Sequence, residues 1–248
     1  MNNNFLLFLI PLLSGGTTLI GIFPTYISSR YRDSVICFSL AFSAGVMVSV
    51  SLFSLLPEAF GYLCFFSFDF CFMITLIFFL LGFLFSFILN HCFSSSRQKD
   101  SLYQVGILSI IALVMHNIPE GIMTYFTTSY HLSLGISLSL AIAFHNIPEG
   151  IAIAVPIFYS TNSRAKVFWY TFVAGFSEFF GAILAHLFLN HFLNPIVFAI
   201  LLSITAGIMI SLSLMELIPS SLTYGSKLLF LFGLLVGIFT MCICFFIV

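Results

Sequence analysis

Eight long apolar stretches, separated by short polar segments, constrain this chain more than any other feature of its sequence. A helix needs about 20 largely apolar residues to cross a membrane. Residues 78–89 are apolar on every face, unlike the alternating strands of a membrane barrel. The predicted spans are residues 5–27, 35–56, 70–89, 103–126, 132–158, 167–189, 195–218 and 228–248. The predicted fold class is therefore an all-α polytopic membrane protein, with residues 1–248 forming a single transmembrane domain.

The composition excludes a water-soluble surface. Of the 248 residues, 61% are hydrophobic and 6% are charged, whereas an ordinary soluble domain has about 25% charged residues. The chain starts with asparagines rather than basic residues, and the apolar run that follows lacks a clear small-residue cleavage pattern. We therefore expect the first apolar stretch to remain as a span in the lipid bilayer.

The basic residues predict the orientation. All seven fall on one side of an eight-span arrangement: Arg30, Arg32, Arg97, Lys99, Arg164, Lys166 and Lys227. Since Lys and Arg gather in cytoplasmic loops, we expect both termini to face away from the cytoplasm. The chain has no phosphate-binding loop for ATP hydrolysis. No ATPase subunit and no nucleic-acid partner are expected, and a solute would move with its gradient, the membrane potential or a coupled ion.

Two pairs of internal repeats indicate an inverted architecture. The segment AGVMVSVSLFSLLP at residues 44–57 reappears as AGIMISLSLMELIP at 206–219, and HNIPEG occurs at 116–121 and at 145–150. The members of each pair lie on spans that run in opposite directions. An inverted 3+2+3 repeat follows, in which spans one to three correspond to spans six to eight and span four to span five. Such repeats are typical of secondary transporters with a site near the midplane.

Polar residues inside the predicted spans point to a divalent metal ion. A charged residue at mid-membrane costs about 2.5 to 3.5 kcal/mol on insertion scales, so such residues are functional candidates by default. No buried Lys or Arg balances the glutamates, and the neighbouring histidines supply the imidazoles that borderline metals bind together with carboxylates. In each hexapeptide, Glu lies four residues after His and three after Asn, so it shares a helix face with both. The candidate metal ligands are His116, Asn117, Glu120, His145, Asn146, Glu149 and Glu178.

Proline and glycine in each hexapeptide indicate an irregular, closely packed path. Pro119 and Pro148 each remove a helical donor and free a carbonyl, which membranes tolerate beside a polar cavity. Gly121 and Gly150 permit neighbouring helices to approach closely. The motif therefore predicts a kinked, water-accessible metal path.

Other polar residues are assigned lesser roles. Glu216 lies close to a span end without an assigned role, and Glu58 and Asp69 are expected at the outer surface, where they concentrate cations weakly. Interfacial or packing roles are expected for the remaining histidines, His91, His131, His186 and His191. The six cysteines lack paired CxxC motifs and are taken as packing residues.

At these residues the chain resembles the ZIP (Zrt/Irt-like) family of metal transporters, and its bacterial branch in particular. The resemblance covers the whole chain: eight spans, external termini, two HNIPEG copies, SLLPEA at residues 54–59 and MELIP at 215–219. It implies zinc uptake, with Fe²⁺, Mn²⁺, Co²⁺ or Cd²⁺ as further substrates and no cofactor. It also implies a binuclear site, in which His116, Glu120, His145 and Glu149 bind one ion. Glu120 and Glu149 are shared with a second ion, which Asn117, Asn146 and Glu178 complete.

Two departures from the family pattern bear on this expectation. Span six usually has a proline after its glutamate, whereas Phe179 follows Glu178 here. The segment between spans three and four has a serine run where the family often has many histidines. Metal sensing through that segment is therefore not expected.

Two other functions were weighed against transport. A buried zinc with an activated water could serve an intramembrane metal-dependent hydrolase, although the motif lacks the second histidine of H-E-x-x-H. A proton-conducting or purely structural bundle would leave the paired imidazoles and carboxylates unexplained. The sequence does not rank the metals, decide between channel and carrier, or fix the oligomeric state, for which a homodimer is one option.

Overall fold

The computed structural model describes residues 3–27, 29–63, 65–94, 101–189 and 194–247. Within them, eight helices are long and apolar enough to cross a membrane, which confirms all eight predicted spans. Cys64, Arg97, Lys99 and His191 lie outside the described residues. Spans one to eight are Phe5–Tyr26, Arg32–Tyr62, Phe68–Cys92, Leu102–Tyr130, Leu132–Thr161, Arg164–Phe188, Pro195–Tyr224 and Lys227–Phe246.

Several spans combine an α-helix with a turn of different pitch. A 3₁₀ segment, Thr17–Tyr26, completes span one, and another, Ser29–Tyr31, precedes span two. Turns of π-helix lie at Ser51–Leu55, Ala185–Leu189 and Ser213–Leu217. The α-helices are Asn3–Gly16, Arg32–Val50, Leu56–Tyr62, Phe68–Ser94, Ser101–Tyr130, Leu132–Thr161, Arg164–Leu184, Pro195–Leu212, Ile218–Tyr224 and Lys227–Ile247.

Spans two and seven continue past the ends predicted from the sequence. The predicted spans end at residues 56 and 218, just before Pro57 and Pro219, and proline lacks the backbone donor of a helix interior. A π-helical turn precedes each proline and accommodates the interruption, so helix resumes for about another two turns. The serine that opens each π-turn, Ser51 or Ser213, donates its hydroxyl to the carbonyl four residues earlier at 2.8 Å. These hydroxyls are thereby satisfied without water.

The spans pack as a central group with two flanking pairs. Spans one, four, five and six contact one another in the centre, while span two packs on span eight and span seven on span three. In a 3+2+3 inverted repeat, every pair of packed spans has a counterpart in the other half. The pair of spans two and eight corresponds to the pair of spans seven and three, and the contact of span four with span six corresponds to that of span five with span one. The inverted repeat stays a prediction, which this packing supports.

Glycines set the spacing of the central group. A Cβ atom on Gly121 would collide with the carbonyl oxygen of Glu178, and one on Gly150 with that of Thr18. The close helix approach predicted at both glycines is therefore confirmed. Since lipid tails supply no hydrophobic force between helices, such backbone contact holds membrane helices together through van der Waals packing.

The described basic residues gather at one end of the bundle, which we call the basic end. Arg32, at the start of span two, donates to the carbonyl of Tyr159 near the end of span five. Gly225, near the end of span seven, lies against Cys37 of span two. The basic end therefore holds Arg30, Arg32, Arg164, Lys166 and Lys227. At the opposite end, the ring of Tyr62 stacks on Phe198 with centroids 5.2 Å apart.

Candidate metal site

The structure brings the predicted site residues together in the middle of the central group. All seven are buried, with exposed fractions between 0 and 5%. They come from spans four, five and six, which the glycine contacts hold side by side. We call the assembly of these seven residues the candidate site: His116, Asn117, Glu120, His145, Asn146, Glu149 and Glu178.

Each histidine pairs with the glutamate of the other hexapeptide. Nε2 of His116 lies 2.8 Å from Oε1 of Glu149, and Nε2 of His145 lies 3.2 Å from Oε1 of Glu120. The sequence pointed to pairing within each hexapeptide, because His and Glu are four residues apart. Contact between spans four and five favours the crossed arrangement instead. The two pairs therefore join the helices across their shared face.

The His116 ring is oriented by a second hydrogen bond. Nδ1 of His116 lies 3.2 Å from the carbonyl oxygen of Ala112, which only accepts, so Nδ1 is the donor. Nε2 then faces Glu149 and is the nitrogen that can bind a metal. A backbone carbonyl in this role fixes the tautomer of metal-binding histidines. The proton between His116 and Glu149 is thus the one that a metal would replace.

The second group of candidate ligands centres on Glu178. Its carboxylate accepts from the side-chain amide of Asn146 at 2.9 Å and from the hydroxyl of Ser14 on span one. The same amide also donates to the Ser14 carbonyl at 3.0 Å. Asn117 donates to the carbonyl of Ala174, one turn before Glu178, at 2.9 Å. Ser14 was missed by the sequence analysis, although the small residues of SGG at 14–16 were a signal of close helix contact.

Four oxygens of the candidate site have no partner. Oε2 of Glu120, Oε2 of Glu149, Oδ1 of Asn117 and Oδ1 of Asn146 are buried and accept no hydrogen bond among the described residues. Leaving a buried acceptor unsatisfied costs about 1 to 3 kcal/mol, and more when it is charged. Such groups call for an explanation in a folded protein. Oxygens of this kind, beside two imidazoles, are suited to a dication.

The ligands are near one another but are not yet arranged around one point. Within the described part of the chain, no group of three or more His, Cys, Asp and Glu side chains is placed to hold a metal ion. Two ligands that each lie about 2.0 to 2.2 Å from a tetrahedral zinc are a little over 3 Å apart, and the crossed pairs, at 2.8 and 3.2 Å, are already near that spacing. Binding would therefore require mainly that the proton of each pair leaves and that further ligands turn toward the ion.

A cavity connects one crossed pair with the end of the bundle opposite the basic end. It has a volume of about 140 Å³ and is lined by residues of spans two, four, five and eight, including Ser54, Glu58, Glu120, His145 and Cys244. One water needs about 10 to 15 Å³ of such volume, so the cavity has room for several. Glu58, expected at the outer surface, is half-buried in the cavity wall, whereas Asp69 is exposed. We call this space the outer cavity.

A second cavity lies toward the basic end and is narrow. It is lined by residues of spans three, four and seven, including Ser86, Asn90, Ala112, Ser211 and Glu216. Its volume is about 10 Å³, which leaves hardly enough space for a single water. We call it the inner cavity. Glu216, which had no role from sequence, is buried in its wall with 8% exposure.

Helix continues through the two hexapeptides and through Phe179. Pro119 and Pro148 lie inside continuous α-helices, and the carbonyl of Pro148 accepts from the hydroxyl of Ser43 at 2.6 Å. The kink predicted at these prolines stays a prediction. Phe179, in place of the usual proline, packs edge-on against Phe8 of span one, and Glu178 still reaches Asn146.

Comparison with known proteins identifies the family of this chain. The family model described as ZIP Zinc transporter matches residues 94–244. Similar full-length relatives carry the name Zinc transporter ZupT. The protein of Clostridium perfringens is 34% identical over 98% of this chain and 96% of its own length. That of Chlorobium chlorochromatii is 34% identical over 98% of both chains, and that of Akkermansia muciniphila 38% over 95% of both.

Eight apolar helices with carboxylates and imidazoles buried among them define a multi-pass membrane transporter of metal ions. The chain belongs to the ZIP zinc transporter family. Membership of this family indicates a transporter and not an enzyme, and nothing in the comparisons supports the alternative of an intramembrane hydrolase. The resemblance to the ZIP family that the two HNIPEG copies indicated is therefore confirmed.

Proposed function

We propose that the protein takes up Zn²⁺ across a bacterial inner membrane through a binuclear site formed by the seven residues of the candidate site. The observation that carries the proposal is the set of four buried oxygens without a hydrogen-bond partner among the described residues, which surround the two crossed pairs. Each needs a positive partner, and among the described residues the candidate site contains no Lys or Arg. A divalent cation supplies that partner with two charges.

The first ion takes the place of the protons in the crossed pairs. His116, Glu120, His145 and Glu149 bind it, with imidazole and carboxylate ligands of the kind that zinc prefers. Because these ligands must give up protons to bind a metal, each binding event releases protons and acid weakens binding.

The second ion is bound by the oxygens around Glu178. Glu120 and Glu149 each have a second carboxylate oxygen without a partner, so both can bridge to it. The side-chain oxygens of Asn117 and Asn146 likewise accept no hydrogen bond among the described residues, while their amide nitrogens donate to the Ala174 carbonyl and to Glu178. This oxygen-rich set also suits Fe²⁺, Mn²⁺, Co²⁺ and Cd²⁺, which we propose as further substrates.

The ion arrives through the outer cavity and leaves through the inner one. Glu58 lies in the wall of the outer cavity and Glu120 and His145 lie deeper, so a cation meets negative charge along its path. In the state described, the outer cavity has room for several waters, whereas the inner cavity is too narrow for more than one. Alternation between these cavities, through movement of one half of an inverted repeat against the other, is the carrier mechanism of many such folds.

We propose that the basic end faces the cytoplasm and that both termini lie in the periplasm. The five described basic residues support this orientation through the preference of Lys and Arg for cytoplasmic loops. An inside-negative potential of 100 mV then favours inward movement by about 2.3 kcal/mol per charge, and by twice that for a dication.

The apolar faces of spans three and eight, largely exposed, contact lipid in a monomer or a second copy in a homodimer.

The test is zinc influx into proteoliposomes loaded with a zinc-sensitive dye. We expect Glu149→Gln to reduce influx about 100-fold, since it removes a ligand and the partner of His116. Asp69→Asn, which neutralises an exposed carboxylate outside the outer cavity, is the matched control and should keep the natural rate. Equal influx with Glu149→Gln would refute the site, and no influx from the natural, folded protein would refute transport. Competition by the other four metals tests the wider substrate range.

A further inference from the structure

A wide cleft at the basic end lies outside the metal path. It has a volume of about 510 Å³ and opens between spans one, two, five and six. Residues from all four spans line it: Thr25, Tyr26, Arg32, Phe158, Tyr159 and Arg164. The cleft shares no lining residue with the outer or inner cavity, so the transport proposal leaves it without a role.

Two arginines are held in position within this cleft. The guanidinium carbon of Arg164 lies 4.5 Å from the ring centroid of Tyr26 and 6.0 Å from that of Phe158. Arg32 donates to the carbonyl of Tyr159 at 3.2 Å and lies 5.9 Å from the centroid of its ring. Guanidinium groups stacked on aromatic rings keep their planar donors free at the edge. Little side-chain freedom would then be lost when a ligand binds.

The charge of the two arginines is not balanced by carboxylates. Among the described residues, the ion pairs are those between the site histidines and glutamates, so neither arginine is paired with Asp or Glu. Asp33 follows Arg32 in the chain but does not line the cleft. The cleft therefore presents two fixed positive charges to an anion. Arginine forks match the oxygens of phosphate, with which they form bidentate hydrogen bonds.

The depth of the cleft identifies the source of the phosphate. Tyr26, Tyr31 and Trp169 are between 55 and 61% exposed around the basic end, and exposed Tyr and Trp mark the headgroup level of a membrane. Basic pockets between membrane helices at this level bind anionic lipid headgroups. A zwitterionic lipid fits less well, because the aromatic rings that would hold its amine are already covered by the arginines.

We propose that this cleft binds the phosphate of an anionic phospholipid headgroup between Arg32 and Arg164. Arg32 begins span two, which belongs to a flanking pair, whereas Arg164 begins span six of the central group. The bound headgroup therefore links the helices that carry the candidate site to a helix that flanks them. The site is independent of zinc and does not rest on the transport proposal.

Native mass spectrometry of the purified, delipidated full chain tests the proposal. Phosphatidylglycerol and phosphatidylcholine are titrated against the natural protein, and we expect phosphatidylglycerol to bind at least tenfold more tightly. Arg32→Gln and Arg164→Gln should each weaken it about fivefold and together about thirtyfold, which corresponds to about 1 kcal/mol per arginine. Lys227→Gln, at the same end but outside the cleft, is the matched control and should change binding less than twofold.

Other outcomes would overturn the proposal. An equal loss with Lys227→Gln would show diffuse attraction to the whole basic end rather than a site. Inorganic phosphate that displaces phosphatidylglycerol at millimolar concentration would assign the cleft to a soluble anion. Phosphatidylglycerol binding by Arg32→Gln/Arg164→Gln equal to that of the natural protein would also refute the site. The double variant should keep the circular dichroism spectrum and the melting temperature of the natural protein, so that its loss of lipid reports on the cleft.

Discussion

The two crossed pairs have the same chemistry but different surroundings. His145 and Glu120 line the outer cavity, whereas His116 and Glu149 are fully buried and line neither the outer nor the inner cavity. The buried pair is also shorter, 2.8 Å against 3.2 Å, and is supported by the Ala112 carbonyl. The two copies of one hexapeptide thus have different access to water although their ligands are the same. The difference comes from the packing around each pair and not from the chemistry of the ligands.

The largest expected difference concerns stability. Glu149→Ala leaves His116 without its partner in a dry site, and breaking a buried ion pair costs about 3 to 5 kcal/mol. Glu120→Ala leaves His145 beside the outer cavity, where water can take over, so we expect about 1 to 2 kcal/mol. The measurement is the free energy of unfolding in detergent, compared between each variant and the natural protein. Asp69→Ala is the control. An equal or larger loss for Glu120→Ala would contradict the difference between the pairs.

A second, intermediate effect should distinguish the two cavities directly. In a background without other cysteines, Ala141→Cys lies in the wall of the outer cavity and Ala112→Cys in that of the inner cavity. We expect a water-soluble thiol reagent to label Ala141→Cys at least tenfold faster, since a minor conformer is populated at 10% or less. Zinc should slow the faster reaction. Equal rates in unsealed membranes would show that both cavities are open.

The smallest effect should come from the mouth of the outer cavity. Glu58→Gln removes a half-buried charge that faces the cation before it reaches Glu120. We expect the zinc concentration for half-maximal influx to rise about two- to fivefold with an unchanged maximal rate, because long-range attraction raises the local cation concentration. High salt should reduce the difference. Asp69→Asn serves as control, and a lower maximal rate for Glu58→Gln would instead indicate direct binding during transport.

The sequence predicted the spans and the candidate ligands well because both depend on residue patterns that seldom arise by chance. Charged residues are uncommon in membrane helices, so Glu120, Glu149 and Glu178 were prominent in an apolar chain. Their burial, and the contact between the two hexapeptides, followed from the duplication. The cavity mouth was harder to place, because the half-buried position of Glu58 depends on spans five and eight as well as its own.

Features that depend on contact between distant helices were not predicted. The crossed pairing of His116 with Glu149 depends on how spans four and five are rotated, which helical spacing alone does not give. Ser14 reaches Glu178 only because spans one and six approach closely through glycines. The ends of spans two and seven were placed too early because the π-turns before Pro57 and Pro219 have no simple sequence signal.

The glycine contacts limit how this transporter can evolve or be engineered. Any side chain at Gly121 or Gly150 would push apart the helices that hold the ligands, so the site has no room to grow. New metal preferences must then come from exchanges of nearly equal volume, such as Asn146→Asp, which replaces an amide with a carboxylate. The largely exposed spans three and eight, by contrast, are free to drift among apolar residues. Natural variation in selectivity should therefore be found in ligand chemistry and not in pocket size.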